Sequence, residues 1–158
     1  MKKHWVLVGV LGLSLVALST NALAQHTTPN QQPMTAPDPN APAGEMALGS
    51  VRLTSAVKAD GKPLPAGTYQ VRLTAQTAKP EAVGTSEALE RWVEFVQGGQ
   101  VKGREVVTIV PQAEIKMVVK DAPPASGAAK VQMLRGNEYT RVWINRGGNH
   151  YLIHLPVG

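Results

Sequence analysis

The stretch EYTRVWINRGGNHYLIHLPV, residues 138–157, decides the fold that this sequence predicts. Two runs rich in β-branched and aromatic residues flank Gly147 and Gly148, which is typical of two antiparallel strands joined by a two-residue turn. Such a turn places Arg146 opposite Asn149, and this pairing sets the register of the whole hairpin. The pairs that follow are Asn145 with His150, Ile144 with Tyr151, Trp143 with Leu152, Val142 with Ile153 and Arg141 with His154.

In this register, alternate pairs lie on the same face of the hairpin. One face is apolar and is expected to belong to the core; it carries Val142, Ile144, Tyr151, Ile153 and Leu155. The opposite face mixes aromatic, cationic and polar side chains; it carries Tyr139, Arg141, Trp143, Asn145, His150, Leu152 and His154. A four-residue loop would keep this division, whereas a three-residue loop would scramble it.

The mixed face is a candidate ligand platform. Trp143 could stack on a sugar ring or hold an anionic polymer, with Arg141 as the charged contact. The candidate binding residues are Tyr139, Arg141, Trp143, Asn145, His150 and His154. The alternative is that Trp143 and Leu152 pack beneath a loop or a neighbouring strand, as large apolar side chains usually do. His150 and His154 lie about 13 Å apart along a strand, so no metal site is expected there.

Turn-forming residues divide 45–158 into short segments, as in an all-β domain. Turn signals recur at residues 60–61, 65–67, 98–99 and 135–137, and short runs rich in Val, Ile and Thr lie between them. Residues 51–59 and 68–75 alternate apolar and polar side chains, which indicates strands with one solvated face. The expected fold is an antiparallel β-sandwich of about seven strands, or a small barrel.

Residues 61–74, GKPLPAGTYQVRLT, indicate a stiff turn that leads into a strand at Thr68. Pro63 and Pro65 fix φ and lack a backbone donor, which suits a connection and not a ladder. Gly67 tolerates the positive φ of a tight reversal. Leu64, between the prolines, is expected to cover one end of the core.

Two further segments need a choice of structure. Residues 86–97 fit either a helix or a strand, and we favour a hairpin that turns at Gly98 and Gly99 and continues into 100–111, with a short helix over 86–91 still compatible. Gly103, isolated within that second strand, predicts a β-bulge. Residues 113–121 are expected to form another strand, and residues 122–129, APPASGAA, a long loop.

The N-terminal residues predict export. Residues 1–24 have a cationic start, an apolar run too short to span a bilayer and a small-residue cleavage site after Ala24, so we expect a cleaved signal peptide. Residues 25–44 are rich in proline and polar residues and are expected to form a disordered tail, which is either a spacer or a docking peptide. The mature chain is then periplasmic or secreted, without a transmembrane segment.

Composition narrows the classes of function. The chain has no cysteine, so neither a disulfide nor a lipid-anchor cysteine is available, and stability must come from an apolar core. Removing Lys2 and Lys3 lowers the formal net charge from +5 to +3, which is too small to indicate nucleic-acid binding. Catalytic, cofactor and metal motifs are absent from the sequence, so no cofactor is expected. Glu94 and Glu105 could still face each other across the 98–99 turn, as in a small hydrolase.

The phrase DGKPLPAGTYQVRLT, residues 60–74, resembles the hairpin phrase of carboxypeptidase-regulatory-like and transthyretin-like modules, which are small secreted bacterial β-sandwich domains. The phrase VEFVQGGQVKGREVVTIVP, residues 93–111, is similar to the second hairpin of such secreted proteins. Both phrases are structural. The resemblance implies an accessory or interaction domain and transfers no catalytic residue.

The sequence therefore predicts an exported, non-enzymatic binding or interaction module of the cell envelope or the extracellular space. Its expected partner is an envelope protein or a polysaccharide. Two alternatives remain open: an assembly subunit that adds an edge strand to a partner's sheet, and a small envelope hydrolase that uses Glu94 and Glu105 or the two histidines of the last strand.

Overall fold

Antiparallel pairing organises the part of the chain that the computed structural model describes, residues 42–78 and 90–158. These residues form nine strands and one short helix: β1 (Met46–Leu53), β2 (Val57–Ala59), β3 (Lys62–Leu64), β4 (Gly67–Thr77), β5 (Glu90–Gln97), β6 (Gln100–Pro111), α1 (Ile115–Val118), β7 (Ala129–Met133), β8 (Tyr139–Arg146) and β9 (Asn149–Pro156). The predicted signal peptide, the tail up to residue 41 and the possible helical start at 86–89 lie outside the described residues.

Seven strands form one sheet in the order β1-β4-β5-β6-β9-β8-β7, and every pairing in it is antiparallel. The two edge strands of the sheet, β1 and β7, lie close to each other. Met46 of β1 and Val131 of β7 pack against the same core. The sheet is therefore curled into a nearly closed barrel. The all-β prediction is confirmed. The fold is the barrel alternative and not the two-sheet sandwich, because the β6–β9 pairing joins the strands into one continuous sheet.

The last hairpin has the register that its sequence predicts. Gly147 and Gly148 adopt φ values of 61° and 79°, which residues other than glycine seldom adopt, and Arg146 lies opposite Asn149. All eight pairs from Arg146–Asn149 to Tyr139–Pro156 follow without a shift. The five residues predicted for the apolar face are all buried in the main core.

The barrel interior is filled by side chains. The rings of Tyr69 and Phe95 meet edge to face with centroids 6.1 Å apart, and the Tyr69 hydroxyl donates to the Pro65 carbonyl at 2.8 Å. Leu64 is fully buried in this core, which confirms its predicted role at the barrel end. Arg91 is also buried; its Nε donates to the Thr74 carbonyl at 2.8 Å, so its guanidinium finds backbone acceptors at the other end of β5.

Two local predictions about residues 51–64 need correction. The alternating run 51–59 is divided, since β1 ends at Leu53 and β2 begins at Val57. Pro63 was expected in a connection but lies in β3, opposite Lys58 of β2. A two-stranded hairpin tolerates proline because its outer side needs no ladder donor. This β2–β3 hairpin, turning at Asp60 and Gly61, inserts Leu64 into the barrel end.

The β5–β6 hairpin turns at Gly98 and Gly99 as expected, so residues 90–97 form a strand. The predicted bulge is also present. Phe95 lies opposite Gly103 whereas Val96 lies opposite Val101, so Lys102 is an extra residue in β6.

The strand predicted for residues 113–121 is wrong. Helix α1 and its flanking turns occupy this region, with the Val119 amide donating to the Ile115 carbonyl at 2.8 Å. Strand β6, which leads into it, is already paired on both sides, by β5 and β9, so no ladder edge is available nearby. The helical spacing turns Ile115 and Val119 toward the sheet and leaves Met117 79% exposed.

We call residues 112–128, which comprise α1 and the loop after it, the strap. The strap runs from the end of β6 to the start of β7. It is attached at both ends by backbone hydrogen bonds: the Gln112 amide donates to the Gly148 carbonyl at 3.0 Å, and the Gly127 amide donates to the Asn145 carbonyl at 2.7 Å. It therefore lies across the outer face of β8 and β9.

Candidate functional site

The mixed face of the β8–β9 hairpin is assembled as predicted but lies beneath the strap. Trp143 and His150 are 0% exposed and Leu152 is 3% exposed. Ile115 and Val119 of the strap pack on Trp143 and Leu152 in a second apolar cluster, outside the barrel. The open platform expected for this face is therefore wrong, and the alternative, packing beneath a loop, is confirmed.

A buried hydrogen bond joins two of the predicted site residues. The Trp143 indole Nε1 donates to His150 Nδ1 at 2.9 Å, and the ring centroids are 5.7 Å apart. An accepting Nδ1 requires the neutral imidazole with its proton on Nε2. Burial favours the same state, since it lowers the pKa of His150. His150 Nε2 is buried and has no hydrogen-bond partner among the described residues.

Two further predicted residues hold the strap in place. Arg141 Nη2 donates to Asp121 Oδ2 at 2.7 Å, and the Arg141 guanidinium carbon lies 5.3 Å from the Trp143 ring centroid. Hydrogen bonds from Gln132 and from Arg141 lower the pKa of Asp121. Asn145 Nδ2 donates to the Pro124 carbonyl at 2.9 Å. In this arrangement the polar groups of the face are used within the protein.

Only the outer end of the predicted face is accessible. Tyr139 is 43% exposed and His154 is also exposed, whereas Arg141, Trp143, Asn145 and His150 are buried. Burial of the imidazole and, to a lesser extent, the charge of Arg141 lower the pKa of His154. The structure thus brings the six predicted residues into one hairpin and separates them into a covered and an open part.

A second outer surface carries aromatic and charged side chains that are exposed or half-buried. Alternation along β5 turns Arg91, Val93 and Phe95 inward and leaves Trp92 and Glu94 on the outer side. We call this outer side of β4–β6 the Trp92 face, defined by Arg72, Trp92, Glu94 and Arg104. Trp92 is partly exposed, and the Arg104 guanidinium carbon lies 4.3 Å from its ring centroid.

Ion pairs order the charged groups of the Trp92 face. Arg72 Nε donates to Glu94 Oε2 at 3.1 Å, and Glu94 lies opposite Arg104 in the β5–β6 ladder. Arg104 Nε donates to Asp60 Oδ2 at 3.1 Å. The hydrogen bond with Glu94 and its charge raise the pKa of Arg72, so this guanidinium stays cationic. The result is a row of alternating charges across three strands, with Trp92 beside it.

A shallow cleft adjoins this face where the β2–β3 hairpin meets β6. Its volume is about 200 Å³, and it is lined by Ala59, Asp60, Lys62, Val101, Lys102, Gly103 and Arg104. Three of these seven side chains are cationic and one is acidic, so the cleft favours anionic groups. Arg104 belongs to both the cleft and the Trp92 face, which makes the two continuous.

The predicted carboxylate pair of a hydrolase is wrong. Glu94 lies opposite Arg104, whereas Glu105 lies opposite Val93, so the two glutamates point to opposite faces of the sheet. The bulge is the cause, since one extra residue in β6 reverses the parity of every residue beyond it. Glu105 Oε2 instead accepts the Asp60 amide at 2.8 Å. Within residues 42–78 and 90–158, no cluster of three His, Cys, Asp or Glu could hold a metal ion.

The sequence analysis missed Trp92, Arg104, Lys62 and Lys102 as candidate binding residues. A signal for Trp92 was available: strict alternation over residues 90–97 assigns it to the solvated side once that segment is taken as a strand. The sequence does not show that Lys62 and Lys102 line the same cleft. Their proximity depends on the β2–β3 hairpin packing against β6, 40 residues further along the chain.

Comparisons with known proteins found no matching family model, no matching curated protein and no matching solved structure. The resemblance of residues 60–74 to carboxypeptidase-regulatory-like modules therefore stays a prediction. In the described ranges, no helix is long and apolar enough to cross a membrane.

Proposed function

We propose that the protein is an exported, non-enzymatic binding module of the cell envelope or extracellular space that holds a polysaccharide on the Trp92 face. One observation carries this proposal: a partly exposed tryptophan in contact with a guanidinium, beside a row of ion-paired side chains, on an outward-facing strand surface. The carrying residues are Trp92, Arg104, Arg72 and Glu94.

The chemistry of these groups suits a sugar chain. A sugar ring offers an apolar face of C–H groups and an edge of hydroxyls, which match an amphipathic aromatic side chain and charged hydrogen-bonding partners. The ion pairs hold those partners in position before the ligand arrives, which reduces the entropy that binding costs. Exposed pairs of this kind contribute little to folding stability, so positioning is the stronger reason for their presence.

The geometry is less suited to the assembly alternative. Strands β1 and β7 are the outer strands of the sheet, and a partner strand would have to enter between them. Met46 and Val131 already pack against the core from those two strands, so insertion would separate buried apolar contacts. A ligand on the Trp92 face requires no such rearrangement.

The test is the substitution Trp92→Ala, with Tyr139→Ala as its matched control. Tyr139 is an exposed aromatic on the β8–β9 hairpin, so the two variants compare the two surfaces directly. Binding to a panel of neutral and acidic envelope polysaccharides is measured by affinity electrophoresis and calorimetry. We expect Trp92→Ala to weaken binding by about tenfold, since loss of a stacked aromatic contact costs on the order of 1–2 kcal/mol.

Circular dichroism and a urea unfolding curve establish that each variant is folded. Loss of binding in Tyr139→Ala with full binding in Trp92→Ala would move the site to Tyr139 and His154. Absence of polysaccharide binding by the wild-type chain would overturn the proposed function itself.

A further inference from the structure

Three cationic side chains converge beside the Trp92 face. Lys62 comes from β3, whereas Lys102 and Arg104 come from β6, and all three line the same cleft. Arg104 has an ion pair with Asp60. Neither lysine has a carboxylate within 4.0 Å among the described residues, so two ammonium groups of this cleft lack an acidic counterpart there.

The β-bulge in β6 contributes one of these cleft residues. It adds Lys102 to β6 without a partner in β5. Gly103 permits the β2–β3 hairpin to approach, because a Cβ at this position would lie 3.1 Å from the Ala59 Cβ and 3.3 Å from a Leu64 methyl group. Any larger residue would displace the hairpin that carries Lys62. Gly103 therefore makes room for the hairpin that forms one side of the cleft.

Two contacts position the Arg104 side chain. Its guanidinium carbon lies 4.3 Å from the Trp92 ring centroid, and its Nε donates to Asp60 Oδ2 at 3.1 Å. Asp60 is itself fixed, since its amide donates to Glu105. Lys102 Nζ donates to Gln100 Oε1 at 3.0 Å, a neutral acceptor that leaves the ammonium charge uncompensated. A planar guanidinium fork in a cleft that two lysines also line matches an oxyanion.

We propose that this cleft binds the acidic group, a carboxylate or a phosphate, of an anionic polysaccharide whose sugar rings lie along the Trp92 face. The inference rests on the proposed function and narrows its ligand class. Arg104 joins the two parts, because it stacks on Trp92 and lines the cleft. The acidic group of the ligand supplies a counter-charge for Lys62 and Lys102, because Asp60 pairs only with Arg104.

The experiment compares polygalacturonate with its fully methyl-esterified form, which is the same polymer without its charge. The variant is Lys62→Gln/Lys102→Gln, and the matched control is Lys116→Gln/Lys120→Gln, which removes the same charge from exposed strap lysines. We expect the wild-type chain to prefer polygalacturonate by about tenfold or more, and the cleft variant to lose that preference, whereas the control keeps it within about twofold. Inorganic phosphate should compete with polygalacturonate for the wild-type chain only, since the cleft variant lacks the ammonium groups.

Three outcomes are decisive against the inference. Equal binding of both polymers by the wild-type chain would leave the proposed function in place and overturn the acidic ligand. Equal weakening by the two double variants would mean attraction by overall charge and no site in the cleft. Failure to bind either polymer, or any polysaccharide of the wider panel, would overturn the inference together with the proposed function. All of the exchanged lysines are exposed, so each variant is expected to fold.

Discussion

Two outer surfaces of this barrel carry the same pair of side chains and have different fates. On β8, Arg141 lies over Trp143, and on β5–β6, Arg104 lies over Trp92. The strap buries the first pair, whereas the second stays in contact with solvent. An aromatic–guanidinium stack on a strand is therefore equally compatible with core and with surface, and a distant segment of chain decides between them.

The strap also determines what each pair is used for. Beneath it, three polar side chains are hydrogen-bonded within the protein: Trp143 to His150, Arg141 to Asp121 and Asn145 to the Pro124 carbonyl, whereas His150 Nε2 has no partner among the described residues. On the Trp92 face the ion pairs are exposed and remain open to an incoming ligand. The covered surface contributes to stability, and the open one is the surface for which we propose ligand binding.

Replacing each tryptophan by alanine is expected to give the largest difference in stability between the two surfaces. We expect Trp143→Ala to lower the free energy of unfolding by about 3–5 kcal/mol, because it leaves a cavity between the sheet and the strap. Trp92→Ala should cost less than about 1.5 kcal/mol, since Trp92 is partly solvated. Urea unfolding followed by circular dichroism measures both. Equal costs for the two variants would remove the distinction between the surfaces.

The next contrast compares the two ion-paired arginines. Arg141 has a side chain only 9% exposed and contacts the strap through Asp121, so Arg141→Ala should lower the unfolding free energy by about 1–3 kcal/mol. The Arg72 side chain is 48% exposed, and Arg72→Ala should change stability very little. Urea unfolding at low and at high salt measures the loss of stability in each variant. We expect the loss to be smaller for Arg72→Ala than for Arg141→Ala at both salt concentrations. A larger cost for Arg72→Ala would contradict the assignment of the strap as the structural element.

The smallest expected effect is a pH dependence that comes mainly from the covered surface. Burial lowers the pKa of His150 below its ordinary value of 6.5. The unfolded chain therefore takes up a proton first, so stability is fully present above pH 6.5 and falls as the pH drops below it. Protonation would also remove the acceptor of the Trp143 indole N–H. Urea midpoints measured at several pH values follow this loss.

His150→Asn is the informative variant, because its side-chain oxygen can replace Nδ1 as the acceptor without titrating. We expect it to flatten the loss of stability at mildly acidic pH. His154→Asn should flatten the loss less, since His154 is exposed, even though its pKa is also lowered by burial and by Arg141. An unchanged pH dependence in His150→Asn would show that the covered imidazole does not respond to acid.

Local patterns predicted what depends on neighbours in the chain. Gly147 and Gly148 determine the register of β8 and β9, and alternation then assigns every side chain of that hairpin to its face. Leu64, between two prolines, was correctly expected in the core. In each case the governing interaction lies within a few residues, so the sequence contains it.

The errors share a different origin. Residues 113–121 have the β-branched character of a strand, but β6 has both edges paired, so Ile115 and Val119 reach the sheet through a helical turn. Glu94 and Glu105 would share a face only without a bulge, yet Gly103 indicates one; the two predictions are mutually exclusive. Coverage of Trp143 depends on a segment more than 20 residues away, and strand periodicity carries no information about such a contact.

The filled interior of the barrel has an evolutionary consequence. Tyr69, Phe95 and Leu64 occupy the space in which other barrels hold a ligand, so the proposed binding surface uses outward positions. Under this proposal, mutations at Lys62 or Lys102 alter ligand preference without a penalty in folding, and inward residues drift without altering preference. A lineage built on this scaffold is free to diversify its specificity and its stability separately.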